Sequence, residues 1–222
     1  MNSQLKETFT IMIVDDHPIF CLGMTELINK EPDLVVCASE DTAASAWEAI
    51  KQKQPDLVIL DISLKESNGI DLLETIAREY PDLPVLMLSM YDESLYAERA
   101  LIAGARGYIM KQRAIDQVVS AIRQVLSGDI YASPQIKNKV FNRLVSARKP
   151  SNKFSLDILT NRELEVFRLI GDGLESKEIA HRLNLSIKTI GSHRENIKEK
   201  LNLKHYTELV KFAVHWSNKI KK

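Results

Sequence analysis

The first half of the chain alternates between short apolar runs and longer amphipathic stretches, with turn-forming residues between them. Five apolar runs predict strands: FTIMIV, LVVCAS, DLVILD, PVLMLS and GYIM. The amphipathic stretches predict helices over residues 18–29, 42–52, 69–80, 93–103 and 115–127. The third run is apolar at every position from 57 to 60, which is typical of a strand buried on both faces of a parallel sheet. The pattern therefore predicts an α/β fold with helices on both faces of the sheet.

The regular alternation ends at Gly128, and a basic segment follows it. Ser133 is a candidate helix cap and Pro134 suits the first helical position, so this segment contains a predicted helix. It ends in the polar stretch RKPSNKFS, which is typical of a linker. The sequence therefore predicts a first domain over residues 9–130 and a linker over residues 131–154.

The remaining residues, 155–222, are helical in pattern throughout. Thr160, three residues before Glu163, predicts a capping box at the start of the first helix. The sequence GDG breaks this helix, Ser176 is a candidate cap for a short second helix, and a third begins near Ser186. The predicted C-terminal domain is all-α with four helices, and its second and third helices follow the helix-turn-helix plan.

The charge composition becomes informative only when the chain is divided at residue 130. The 222 residues carry no formal net charge, but the first 130 hold 11 basic against 21 acidic residues and the other 92 hold 19 against 9. An acidic domain is thus joined to a basic one, which is a candidate for binding nucleic acid. Cys21 and Cys37 lie among apolar neighbours, and there is neither a signal-like N-terminal block nor an apolar run of membrane-spanning length. We therefore expect a cytoplasmic protein with reduced thiols and no membrane partner.

Residues able to do chemistry collect at the carboxyl ends of the predicted strands. Asp15 and Asp16 follow the first strand, and Asp61 ends the third. In an open parallel sheet these ends meet at one edge, where ligands bind. Three carboxylates there form an oxygen-rich site suited to Mg²⁺, and a divalent cation would offset the repulsion between adjacent aspartates. Ser89 ends the fourth strand and Lys111 follows the fifth, so a hydroxyl and an amine could hold the oxygens of a phosphoryl group.

Residues 9–130 resemble the receiver domain of bacterial two-component response regulators, through these aspartates and the motifs LDISLKESNG, LMLSM and GARGYIMK. The resemblance implies a flavodoxin-like (βα)5 fold with the parallel strand order 2-1-3-4-5. It implies that Asp61 accepts a phosphoryl group and that Lys111 neutralises the phosphoryl oxygens. Ser89 would then hydrogen-bond to those oxygens, while Tyr108 turns inward as the coupled switch. The implied Mg²⁺ ligands are Asp15 (largely through water), Asp16, Asp61 and the backbone carbonyl of Ser63.

Two positions depart from the pattern of many receivers. Lys65 and Gln112 stand where proline is frequent, after the acceptor aspartate and after the lysine. Ser63 and Tyr91 lie where receivers tune the lifetime of the phosphoryl group. If Lys65 and Gln112 have disabled phosphorylation, the protein is instead a constitutive DNA binder whose receiver serves as an interaction module. A Mg²⁺-dependent phosphohydrolase is another alternative, since aspartyl phosphates are also enzyme intermediates, but no substrate-binding insert separates the short βα units.

The C-terminal segment resembles the LuxR-type helix-turn-helix, through LTNRELEVFRLI, GLESKEIAHRLNLSIKTIGSH and IKEKLNL. With the receiver in front, the whole chain resembles NarL/FixJ-type response regulators. The resemblance implies that the third helix enters the major groove with Gly191, Ser192 and Glu195 nearest the base edges. Candidates for the phosphate backbone or the rim are Lys188, Thr189, His193, Arg194, Lys198 and Lys200. Gly191 stands where relatives often carry lysine, and Glu195 could accept a hydrogen bond from cytosine.

The sequence thus predicts a phosphorylation-controlled regulator of transcription rather than an enzyme. A sensor histidine kinase would donate the phosphoryl group to Asp61, and the rearrangement of Ser89 and Tyr108 would change the surface around residues 93–103 and 107–110. That surface would bias dimerisation or release the DNA-binding domain. We expect a homodimer, formed on phosphorylation or DNA binding, that reads two half-sites of double-stranded DNA.

Overall fold

The computed structural model describes residues 8–64, 67–90, 93–146 and 156–220. These residues fall into two compact units that divide after Ser146. Lys65 is a departure from the receiver pattern, and Tyr91 stands where receivers tune the lifetime of the phosphoryl group. Both residues lie outside the described part of the chain.

Five parallel strands form the central sheet of the first unit. The strands of this unit are β1 Phe9–Val14, β2 Leu34–Glu40, β3 Leu57–Asp61, β4 Ser63–Leu64, β5 Ser67–Asn68, β6 Val85–Ser89 and β7 Gly107–Met110. The sheet order is β2-β1-β3-β6-β7, which confirms the predicted order of the five long strands. β3 and β6 are buried at every residue, as expected for strands with helices on both faces. The pairing of Val14 with Leu60 and of Asp61 with Leu88 places the carboxyl ends of these strands at one edge.

Five helices alternate with these strands. They are α1 Pro18–Asn29, α2 Ala43–Lys53, α3 Gly69–Glu79, α4 Glu93–Ile102 and α5 Lys111–Leu126. Pro18 lies at the first position of α1, where its missing N–H costs no hydrogen bond. The side chains of Thr42 and Asn68 accept hydrogen bonds from backbone N–H groups in the first turns of α2 and α3. The apolar faces of α1 and α5 bury residues of β1, β3, β6 and β7 in one core.

Two local features of the first unit were not predicted. α5 begins at Lys111 rather than at residue 115, because its first turn is mostly polar and the apolar periodicity begins only at Ala114. After Asp61, β4 and β5 pair as a short antiparallel hairpin. Two residues per strand are too few to form a hydropathy pattern, so this hairpin has no signal in the amino-acid sequence.

The helix predicted within the linker forms as α6, Pro134–Ser146. The backbone N–H of Ile136 donates a hydrogen bond of 3.3 Å to the Ser133 hydroxyl, which caps the helix. α6 packs against α4, buries Ile136 and places Arg143 Nη1 3.0 Å from Glu98 Oε1. By its contacts, this helix belongs to the first compact unit.

The described part of the second unit contains the four predicted α-helices: α7 Asn161–Gly171, α8 Ser176–Arg182, α9 Ile187–Lys200 and α10 Tyr206–Ile220. The predicted capping box of Thr160 and Glu163 is present. The prediction that Ser176 caps the second helix is wrong, because Glu175 occupies the N-cap position and its backbone N–H donates to Glu178. Ser176 is the first helical residue, and its hydroxyl accepts a hydrogen bond from Arg194.

The core of the second unit is built around Phe167 of α7. Its ring packs edge-to-face against Phe212 and Trp216 of α10, with centroid distances of 5.5 and 5.4 Å. Phe212 and Trp216 lie four residues apart, on one face of α10 with the buried Leu209 and Ala213. Among the described helices, none combines the length and the apolar character needed to cross a membrane.

Candidate functional site

The carboxyl ends of β1 and β3 bring three aspartates together. Asp15 and Asp61 are each only 2% exposed, and Asp16 is half-buried. One ligand atom from each of these carboxylates and from His17 lies within 4.8 Å of the others. The structure therefore assembles the acidic cluster at the edge of the sheet where the strand pattern predicted it.

Lys111 supplies the positive charge at this cluster. Its Nζ lies 2.6 Å from Asp15 Oδ2 and 2.8 Å from Asp61 Oδ2, and 4.8 Å from the centroid of the Phe20 ring. The amine is itself buried, so it bridges two carboxylates in an environment that screens charge poorly. Gln112, the next residue, is exposed in the first turn of α5, and the described residues contain no cis peptide bond.

Two further residues contact the acidic cluster, and sequence analysis assigned neither of them a role there. His17 Nδ1 lies 3.0 Å from Asp15 Oδ1 and 2.8 Å from Asp16 Oδ1, and the His17 backbone N–H donates to Asp15 Oδ1. The Cys21 thiol donates a 3.3 Å hydrogen bond to the backbone carbonyl of Asp15. The available signal was position alone: His17 directly follows the paired aspartates, and Cys21 lies one helical turn later.

Burial dominates the protonation behaviour of this cluster. It raises the pKa of Asp61 to about 7; the positive charge of Lys111 lowers that pKa and the negative charge of Asp15 raises it further. Burial by itself would lower the pKa of Lys111, but the two carboxylates in contact with it raise that pKa above its usual value. The cluster therefore holds one firmly charged amine and an aspartate that is a stronger base than an exposed one.

Gly69 and Asn68 fix the loop that carries Asp61. A Cβ on Gly69 would overlap the carbonyl oxygen of Asp61, and the Gly69 N–H donates a 2.6 Å hydrogen bond to the carbonyl of Ile62. Only glycine allows α3 to begin this close to the end of β3. Ser63 also contributes, because its backbone N–H donates a hydrogen bond to the Asp61 carboxylate.

Ser89 lies on β6, which pairs with β3, and Tyr108 lies on β7, the next strand in the sheet. Ser89 is fully buried at the end of β6 and is paired with Met110, the residue before Lys111. Tyr108 is 3% exposed, so its ring lies inside the protein. Its backbone N–H donates a 2.9 Å hydrogen bond to the carbonyl of Tyr131, which forms a bridge to the edge of β7. The strand register thus places both predicted switch residues near the site.

The acidic cluster can bind a divalent cation such as Mg²⁺. Its ligands are carboxylate oxygens, which are hard donors of the kind that Mg²⁺ prefers. Asp16 Oδ1 is buried, and although His17 Nδ1 lies 2.8 Å away, the geometry of that contact is not that of a hydrogen bond, so this oxygen keeps the coordination capacity that a cation would use. The residues therefore fit the ion.

The second unit places α8 and α9 in a helix-turn-helix. Asn184 adopts a left-handed conformation, with φ of 51°, and closes the turn between the two helices. The Ser186 side chain accepts a hydrogen bond from the Thr189 N–H and caps α9. Ile190 and Ile197 are buried. The other residues of α9 are partly or fully exposed, and all of them are polar except Ile187 and Gly191.

The residues predicted to contact DNA divide into two groups within α9. Lys188, Ser192 and Glu195 are exposed on its surface, and Glu195 Oε2 lies 2.7 Å from Lys198 Nζ. Thr189 and Gly191 are half-exposed on the same helix. Of the remaining members, Arg194 and Lys200 have partners on other helices of the domain.

Arg194 ties three helices of the second unit together. Its guanidinium stacks 3.5 Å from the centroid of the Tyr206 ring, and Nη1 donates a 2.7 Å hydrogen bond to the Ser176 hydroxyl. Arg194 therefore has a structural function in the domain, whatever else it contacts.

His193, the residue before Arg194, is half-buried. Its burial and the positive charge of Arg162 lower its pKa.

Lys200 is held by the buried Glu163 of α7. Lys200 Nζ lies 2.6 Å from Glu163 Oε2, which also accepts a 2.8 Å hydrogen bond from the backbone N–H of Thr160. Burial tends to raise the pKa of Glu163, but the bonds from Lys200 and Thr160 outweigh it and lower that pKa. This ion pair fixes the end of α9 against α7.

Comparison with protein families agrees with both halves of this geometry. The response regulator receiver domain matches residues 11–123, and the luxR family of bacterial regulatory proteins matches residues 157–213. The chain belongs to the two-component response regulators that regulate transcription through a LuxR-type DNA-binding domain.

Three relatives illustrate the similarity over nearly the whole chain. The oxygen regulatory protein NreC of Staphylococcus carnosus (strain TM300) is 36% identical over 210 residues, covering 92% of this chain and 96% of NreC. The transcriptional regulatory protein DegU of Brevibacillus brevis is 32% identical over 224 residues, covering 95% of each chain. A solved structure of two RcsB dimers bound to two parallel DNAs is 25% identical, with a TM-score of 0.56, over 92% of this chain and 97% of that one.

Proposed function

We propose that Asp61 accepts a phosphoryl group from a sensor histidine kinase, and that its phosphorylation controls DNA binding by α9. The observation that carries this proposal is the buried Asp61 carboxylate, 2.8 Å from Lys111 Nζ and beside two further aspartates. A basic, desolvated carboxylate next to a fixed cation is suited to attack phosphorus and to hold the product.

The transfer is a displacement at phosphorus. An oxygen of Asp61 forms the new O–P bond as the P–N bond to the kinase histidine breaks, and the electron pair of that bond stays on the imidazole nitrogen, which takes up a proton. Lys111 then moves its contacts from the carboxylates to the phosphoryl oxygens. Mg²⁺, when bound, supplies further neutralisation of charge on the transferred group. We assign its ligands to Asp16, Asp61 and the Ser63 carbonyl, with Asp15 acting largely through water.

The switch residues couple phosphorylation of Asp61 to a structural change at the surface of the first unit. Ser89 hydrogen-bonds to the phosphoryl oxygens, and Tyr108, whose ring is already buried, keeps its inward position as the space around Ser89 changes. β7 and α4 then shift, since both pack next to these residues. This surface biases dimerisation or releases the DNA-binding domain. The working boundaries are 9–130 for the receiver, 131–154 for the linker and 155–222 for the DNA-binding domain.

DNA is contacted by the exposed side of α9. We assign base-edge contacts to Gly191, Ser192 and Glu195 and phosphate or rim contacts to Lys188, Thr189, His193, Arg194, Lys198 and Lys200. A homodimer then reads two half-sites. The related RcsB has been solved as dimers bound to DNA, which supports a dimeric DNA complex. Because its substrate is a kinase phosphohistidine and its target is genomic DNA, we place the protein in the cytoplasm.

Fluorescence anisotropy tests this proposal. Duplex DNA enriched from a random library by the full-length protein treated with acetyl phosphate and Mg²⁺ serves as the probe. Wild type should bind it at least about tenfold more tightly after treatment, and Asp61→Ala should show no such gain. Affinity should also fall steeply with salt, because α9 carries cations that meet phosphates. Equal affinity with and without acetyl phosphate would favour the constitutive DNA binder, and repeated turnover of a generic phosphate monoester would favour the hydrolase.

A further inference from the structure

The polar surface of α9 has a glycine near its middle. Gly191 follows the buried Ile190, and a Cβ built on it would meet no atom within 4 Å. Its φ is not positive, unlike those of Gly104, Gly128 and Gly173. Within the described residues, neither packing nor backbone conformation therefore calls for glycine at this position.

A glycine here weakens the helix that carries it. Glycine in a helix interior is less favourable than alanine, because it gives up more backbone freedom on folding. Since a methyl group would fit without contact, alanine would strengthen α9 at no steric cost inside the domain. Nothing inside the domain therefore favours glycine over alanine at residue 191, so any advantage of glycine there lies in what α9 binds.

The neighbours of Gly191 indicate what kind of partner that is. Lys188, Ser192 and Glu195 lie within one turn of it and are all exposed and polar. Ser192 and Gly191 have short side chains or none, so this part of α9 can reach a partner only if the helix backbone comes close. Serine can hydrogen-bond to a DNA base edge in the major groove, but only from a short distance.

We propose that Gly191 allows the backbone of α9 to lie closer to the DNA than any other residue would permit, and that this close approach sets both affinity and sequence preference. The inference rests on the proposed function, because it requires that α9 binds DNA. A methyl group at residue 191 keeps the helix farther from the groove and withdraws Ser192 from the base edges. A lysine there does the same, although it adds a positive charge.

Gly23 provides a matched control. It also lies inside a helix, α1, has no positive φ, and its Cβ would likewise meet no atom within 4 Å. It belongs to the receiver unit, so the same glycine-to-alanine change should strengthen a helix without affecting a DNA contact.

The experiment compares full-length wild type with Gly191→Ala, Gly191→Lys and Gly23→Ala, all treated with acetyl phosphate. The probes are a fluorescein-labelled duplex enriched by wild type from a random library and a duplex of scrambled sequence. Gly191→Ala should bind the enriched duplex about tenfold more weakly, while its α9 amides exchange hydrogen about fivefold more slowly. Gly191→Lys should also lose affinity for the enriched duplex but gain affinity for the scrambled one. Gly23→Ala should bind both as wild type does.

Two results would overturn the inference while leaving the proposed function standing. The first is a Gly191→Ala protein whose affinity for the enriched duplex stays within about twofold of wild type, and the second is tighter binding of that duplex by Gly191→Lys. If wild type enriches no duplex at all, the proposed function fails and the inference fails with it. The measurement on wild type therefore distinguishes a failure of the inference about Gly191 from a failure of the proposed function.

Discussion

Replacing Asp61 with asparagine should stabilise the first unit when no metal is bound. Burial raises the pKa of Asp61 to about 7, against 3.8 for an ordinary aspartate. One pKa unit corresponds to about 1.4 kcal/mol, so at pH 7 the folded state carries a penalty of about 4 kcal/mol for this carboxyl group. Asparagine has nearly the same shape, carries no charge and can still accept a hydrogen bond from Lys111. Most of the penalty should therefore disappear in the variant.

The pH dependence of this effect has a defined sign. Below about pH 3.8 the carboxyl group is protonated in both the folded and the unfolded chain, so Asp61 imposes no penalty there. As the pH rises towards 7, only the unfolded chain ionises readily, and the folded state loses stability relative to it. The advantage of Asp61→Asn over wild type should therefore be small near pH 4 and reach its full size at pH 7.

Urea unfolding followed by tryptophan fluorescence measures this difference. Trp47 lies in α2 of the first unit and Trp216 in α10 of the second, so a Trp216→Phe background isolates the first unit. Asp116→Asn, an exposed substitution in α5, is the control and should stay within about 0.5 kcal/mol of the parent. If Asp61→Asn in EDTA at pH 7 is no more stable than the parent, the reasoning about the buried charge is refuted.

Three further substitutions test the packing around the two sites. Gly69→Ala should cost the first unit about 3 kcal/mol in the Trp47 assay, because its Cβ overlaps the Asp61 carbonyl oxygen; an unchanged urea midpoint would contradict this. Glu163→Gln should cost the second unit about 2 kcal/mol at pH 7, measured through Trp216 in a Trp47→Phe background. Because the pKa of Glu163 is lowered, that difference should disappear as the pH falls through it, and a difference that persisted in acid would argue against the ion pair. Arg194→Lys should lower the free energy of unfolding of the second unit by about 1 kcal/mol in the same Trp216 assay, since lysine cannot both stack on Tyr206 and bond to Ser176. An unchanged free energy of unfolding would show that Arg194 is not structural.

The sheet and the acidic cluster were predictable because each depends on a repeating or positional signal. Strands buried on both faces, such as 57–60, are continuous apolar runs, and parallel topology brings their carboxyl ends to one edge. Asp15 and Asp61 could thus be placed together from order alone. The start of α5 was missed because its polar first turn hides Lys111 from the hydropathy pattern.

Side-chain partners were less predictable, because they depend on distances between elements. Nothing in the spacing of Arg194, Ser176 and Tyr206 indicates that they meet, since they lie on three helices. The same holds for Lys200 and Glu163, which are 37 positions apart in sequence. A basic residue on a helix surface therefore has to be compared with the buried acids and aromatic rings of its own domain before it is assigned to DNA.

The central claim is that Asp61 accepts a phosphoryl group, and intact-protein mass spectrometry tests it most directly. Wild type and Asp61→Ala are incubated side by side with Mg²⁺ and acetyl phosphate. The account predicts the mass gain of one phosphoryl group in wild type and none in the variant. A gain in both proteins would place the phosphoryl group on another residue and contradict the claim, as would the absence of any gain in wild type with acetyl phosphate and with its cognate kinase.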